Sequence, residues 1–139
     1  MKQLAGNMLR WLLAVVFLWA GLAKAIAPYE FLAALVSIPF FPFTYAASVA
    51  VILPYLEIVT GLALIVPATR RAGALTAVVL SLAFLAMYLL SATHGMTIDC
   101  GCFGPGSQVS TAQGIGRSLL LLALAISVYV NSPSARLLA

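Results

Sequence analysis

Two cysteines separated by one glycine, in Thr97-Ile98-Asp99-Cys100-Gly101-Cys102-Phe103-Gly104-Pro105-Gly106, are the residues of this chain best suited to chemistry, and it has no others of their kind. Three chemistries fit them. As two small residues in a turn they would be inert, a state in which free thiols of an oxidising compartment seldom stay. As soft ligands, Cys100 and Cys102 with His94 and Met96 nearby make a set for a Cu(I)-like ion, although the second cysteine pair of structural zinc patterns is missing. As a dithiol they are redox-active: bridging residues i and i+2 closes a very small ring, and strained bridges are the labile, oxidising ones. Gly101 gives that ring its backbone freedom, and Gly104, Pro105 and Gly106 turn the chain so that the pair can sit at an exposed apex. Asp99 disfavours the neighbouring thiolate, yet it is also placed to take a proton during exchange.

A second group of candidates is charged and lies within apolar sequence. Glu57 falls near the middle of a long apolar run, one turn after Pro54, which removes a backbone hydrogen bond there. Ionisable residues are costly at such depth and mark function or a packing device. Lys24 and Arg117, near the ends of two other apolar runs, can each turn inward to pair with Glu57 or snorkel outward. A pair that only fixes helix register explains the same pattern. Both cysteines share one loop, so electrons cannot pass to a second internal cysteine pair. They go to a partner protein or to a lipid-soluble carrier such as a quinone. A quinone needs an apolar cleft with a few polar groups, for which Tyr55, Glu57, Arg117 and His94 are the candidates. His94 is weak evidence on its own, since an interfacial histidine is more often a satisfied polar residue.

The elements that must position these groups follow from composition. The chain has 139 residues, 64% of them hydrophobic and 7% charged, with a mean hydropathy of +1.14. Soluble domains are about 25% charged, so this chain belongs in a membrane. Four apolar segments, at about 8–27, 44–66, 71–91 and 113–131, each supply the roughly 20 residues that a span requires, and predict one all-α domain over residues 1–139, a four-helix transmembrane bundle. Gly73, Ala77 and Ser81, Gly21 and Ala25, and Gly114 and Ser118 recur every four residues and give faces for close helix approach. A signal peptide is the rival reading of the first segment, but the apolar run is long for one and three further spans would still hold the chain in the membrane. The net charge of +4 is scattered at segment ends, which argues against nucleic acid.

Charge also orients the bundle. Lys2, Arg10, Arg70, Arg71 and Arg136 flank three connections or ends, whereas 28–43 and 92–112 carry no Lys or Arg. The positive-inside rule then puts both termini in the cytoplasm and the cysteine loop outside, where disulfides persist. In the first outer connection, Tyr29 to Ile38 reads as a short interfacial helix or an irregular apolar loop, and Pro39-Phe40-Phe41-Pro42-Phe43 ends it.

Taken together, Gly21-Leu22-Ala23-Lys24, Pro54-Tyr55-Leu56-Glu57 with Gly61 and Arg70, and Asp99-Cys100-Gly101-Cys102-Phe103-Gly104 ahead of Arg117 resemble the MauE branch of the DoxX-like membrane proteins. The resemblance covers nearly the whole chain. It implies a bacterial inner-membrane protein of four helices, associated with periplasmic thiol redox chemistry and working with a thioredoxin-like partner. In methylamine-utilising bacteria that family is linked to making the disulfide-rich subunits of methylamine dehydrogenase. The redox reading thus stands first, with a soft-metal carrier and a non-catalytic membrane assembly factor as its alternatives.

Overall fold

The computed structural model describes residues 1–97 and 110–132, the side chain of Lys2 excepted. These residues form five α-helices and no strand: α1 (Lys2–Ile26), α2 (Pro28–Val36), α3 (Phe43–Ile65), α4 (Arg70–Thr93) and α5 (Thr111–Asn131). All but α2 are long and apolar enough to cross a membrane. Even α5, at 21 residues, reaches about 30 Å at 1.5 Å per residue, the thickness of a hydrocarbon core.

The helix ends have local causes. α1 begins at Lys2 and not near residue 8, because Gln3, Asn7 and Arg10 lower hydropathy without a proline to break the backbone ladder. Pro28 lacks an N–H and pushes the residue before it out of helical geometry, so α1 stops at Ala27 (φ −121°, ψ 62°) and α2 starts with proline at its first position. Glu30 in the first turn of α2 suits the positive end of that helix. α3 runs on through the buried Pro54. Between α3 and α4 the Thr69 hydroxyl donates to the Ala63 carbonyl at 3.0 Å, and α5 is capped by the Ser110 hydroxyl, which accepts from the Gln113 N–H at 3.3 Å.

α1 packs on α3, α3 on α4, α4 on α5 and α5 back on α1, so the four long helices close a ring. α2 lies across one end of it, against α3 and α1. The ring contact of Phe40 with His94, centroids 4.5 Å apart, ties the α2–α3 connection to the end of α4. At the opposite end Arg71 stands 5.1 Å from the centre of the Tyr129 ring and ties the start of α4 to the end of α5.

The interior is filled unevenly. Leu13, Ala14 and Phe17 of α1 meet Leu64, Ala74, Ala77, Leu80, Ala125 and Val128 in a core displaced toward the α3–α4 turn. A smaller core under α2 joins Phe31, Leu35 and Ile38 to Ala46 and Ala50. The short connection after Pro28 is therefore a helix with a buried apolar face.

Glycine sets the tightest approach. A Cβ on Gly73 would lie 2.9 Å from both the Ala63 carbonyl carbon and the Leu64 nitrogen, backbone atoms that cannot rotate away. Gly73→Ala should lower thermal stability in detergent by about 1–3 kcal/mol through overpacking. Gly116→Ala, where a Cβ meets open space, should leave the melting temperature at or above that of the parent; equal behaviour of the two variants would contradict the packing described.

Candidate functional site: a buried ion pair beside an apolar cavity

Register along α3 fixes the acid. Ala46, Ala50, Pro54, Glu57, Gly61 and Leu64 are all buried and recur at helical spacing, so Glu57 sits on the stripe that faces the bundle. From α1, Lys24 turns inward to meet it. Its Nζ donates to Oε1 and Oε2 of Glu57, each at 2.9 Å, and both residues are 1% exposed. The ammonium also stands 5.6 Å from the ring centre of Phe31 on α2 and 5.2 Å from that of Phe84 on α4. Cation–π attraction is strongest where water is excluded. One lysine thus draws together α1, α2, α3 and α4.

Beside this pair lies a cavity of about 660 Å³, lined mainly by α1 and α5. α1 contributes Val15, Val16, Phe17, Trp19 and Ala20; α5 contributes Gly114, Arg117, Ser118, Leu120 and Leu121; Ser81, Phe84 and Tyr88 of α4 and Glu57 of α3 complete it. The walls are almost wholly apolar and the polar groups few. Gly114 makes room for the Tyr88 ring, which a Cβ at that position would strike.

The buried hydroxyls of the bundle behave in two ways. Thr60 donates to the Leu56 carbonyl at 2.7 Å, Ser91 to Met87 at 2.7 Å and Ser118 to Gly114 at 2.9 Å. Each satisfies itself within its own helix. The Ser81 hydroxyl, equally buried, has no hydrogen-bond partner among the described residues, and it lines the cavity.

The residues singled out from sequence are only partly gathered here. Glu57 and Arg117 line the cavity, and of the two cations available to Glu57 it is Lys24 that makes the bidentate pair. Tyr55 is 63% exposed and is not part of the lining. Two residues apart on a helix, Tyr55 and Glu57 point to nearly opposite sides. His94 ends α4, with its Nδ1 2.9 Å from the Leu90 carbonyl and 3.1 Å from the Thr93 hydroxyl, away from the cavity. The Met96 carbonyl accepts from the Thr111 hydroxyl at 3.1 Å, which joins the ends of α4 and α5. Asp99, Cys100 and Cys102 lie outside the described residues, as does Arg136. Among the described residues no three of His, Cys, Asp and Glu group as metal ligands would.

Sequence reading missed Phe84, Tyr88, Trp19 and the unsatisfied Ser81. Ser81 stood in a small-residue row that signals packing, and an aromatic residue in an apolar span carries no signal of its own.

A family model for methylamine utilisation protein MauE matches residues 2–130. The methylamine utilization protein MauE of Paracoccus denitrificans is 33% identical over 129 residues, which cover 91% of this chain and 69% of that protein. Its namesake in Methylophilus methylotrophus is 34% identical over 119 residues, covering 84% of this chain and 62% of its own length. The chain thus spans about two thirds of the length of these relatives. No solved structure matches.

Proposed function

This chain belongs to the MauE family and is a multi-pass membrane protein, and from that premise we propose that it is a thiol–disulfide redox component of methylamine utilisation. In this reading Cys100 and Cys102 exchange electrons with a thioredoxin-like protein outside the cytoplasm. The thiolate of the more exposed cysteine attacks the partner's disulfide, forming a mixed disulfide and releasing one partner thiolate. The second cysteine then attacks the mixed disulfide, which leaves an internal bridge and a reduced partner; the reverse sequence oxidises the partner.

The observation that supports this reading best is the position of the two chain ends that the cysteine segment joins. Thr97 and Ser110 follow α4 and precede α5 at the end of the bundle that carries α2, the end at which Lys24 lies in the last turn of α1 and reaches inward to Glu57 near the middle of the bundle. The lack of Lys or Arg in both connections at that end favours an extracytoplasmic face for the dithiol segment.

Two measurements test it. Membrane-impermeant thiol labelling of reduced, intact cells should modify the native cysteines; labelling only after the membrane is broken would reverse the orientation. A redox titration of purified protein should show a two-electron couple well above the roughly −300 mV typical of structural disulfides. A stoichiometric bound metal with no such couple would favour the soft-metal carrier, and a potential at or below that limit a structural bridge in an assembly factor.

A further inference from the structure

The bundle holds a second feature, the cavity lined mainly by α1 and α5, that exchange with a partner protein alone leaves without a use. We propose that the cavity between α1 and α5 binds the ring of an isoprenoid quinone, entering from the side. This deepens the redox reading by naming the class of electron acceptor, and it rests on that reading for its purpose but not for the binding itself.

Four observations carry it. The rim residues Val15, Trp19 and Leu120 are 58%, 60% and 61% exposed on helices built to cross a membrane. The mouth therefore opens onto hydrocarbon, and its ligand is one dissolved there. The volume of about 660 Å³ lies within the usual range for small-molecule sites, roughly 300–1,000 Å³, enough for a substituted ring and its first isoprene units. Phe17, Trp19, Phe84 and Tyr88 are among the lining residues, and aromatic walls suit a ring better than an acyl chain.

The fourth observation selects the ligand's polar group. Ser81 is 1% exposed and alone among the buried hydroxyls compared above lacks a partner among the described residues. Its unmet donor calls for an acceptor brought in from outside. A quinone carbonyl is such an acceptor and an acyl tail is not. Lipid ester groups are acceptors too, but Ser81 sits midway along α4, Arg70–Thr93, more than a dozen ångströms from either helix end at about 1.5 Å per residue. That is below the depth of headgroups. Arg117 lines the same space on the wall contributed by α5.

The overall chemistry closes without a further reagent. Oxidation of the Cys100–Cys102 dithiol to a disulfide releases two electrons and two protons, and reduction of a quinone to its quinol takes up two of each.

The test is a titration of the full chain, in phosphatidylcholine nanodiscs, with decylubiquinone, read by quenching of tryptophan fluorescence. Saturable quenching is expected. Ser81→Ala should weaken it about tenfold, the loss of one hydrogen bond, and Ala20→Phe, which fills the cavity, should abolish it. Cys100→Ser/Cys102→Ser should bind as the parent does, so failure of thiol exchange leaves this result standing. Non-saturable quenching, indifference to both cavity variants, or equal displacement by oleate would overturn the quinone site, the last marking it as a groove for lipid chains.

Discussion

Lys24→Met should destabilise the bundle by about 3–5 kcal/mol, the cost of leaving a buried charge without its partner. Lys24 binds both oxygens of Glu57 at 2.9 Å and faces Phe31 and Phe84 as well, so its loss removes both charge-assisted hydrogen bonds from the carboxylate and loosens the seat of α2 together. Glu57→Gln removes the opposite charge but keeps an acceptor for the lysine, and should melt between Lys24→Met and the parent. Lys24→Met/Glu57→Leu removes both charges and keeps an apolar volume in place of each. It should recover most of the stability, because well-packed apolar residues commonly replace buried pairs without loss. Melting temperature in detergent checks the order of the four proteins. Parent-like melting of Lys24→Met would show that the pair does not hold the fold.

Dithiol turnover measured on the same proteins separates structure from chemistry. If Glu57 only holds helices together, activity should return with stability in the double variant. If the acid handles protons near the cavity, activity should stay low while the fold recovers.

The contrast between what the residues disclosed and what they hid has physical causes. The spans were legible because hydropathy integrates over some 20 residues, and the break before α2 because Pro28 acts locally. Helix ends shifted where polar residues continue a helix, as at Gln3 and Asn7. An intramembrane acid demands a cation, so a partner for Glu57 was foreseeable. The choice of Lys24 over Arg117 was not, since it depends on how α1 and α5 are rotated. Tyr55 was drawn in by its nearness in sequence to Glu57, although a two-residue step on a helix carries a side chain to the far side. The cavity was hidden altogether: it depends on how α1, α4 and α5 pack around it, and the empty space has no letter in the sequence.

Cys100→Ser and Cys102→Ser should each abolish thiol exchange, reducing it to the rate without the protein. A hydroxyl cannot form or resolve a disulfide, and the two-electron step needs both sulfurs, so the effect of each single change should equal that of the double change. Melting temperature should stay close to that of the parent, because serine is nearly isosteric with cysteine and the exchange reading gives the pair a chemical and not a packing role. The two variants should differ in one respect. The one that keeps the attacking cysteine and loses the resolving one should accumulate a mixed disulfide with the thioredoxin-like partner, visible on a non-reducing gel and cleared by reductant. The other should form none. This asymmetry distinguishes the readings of the dithiol, because a pair of metal ligands would lose its ion in both variants without trapping a partner, and a purely structural bridge would lose stability in both to the same extent. Retention of full exchange in either variant would remove the cysteines from the mechanism.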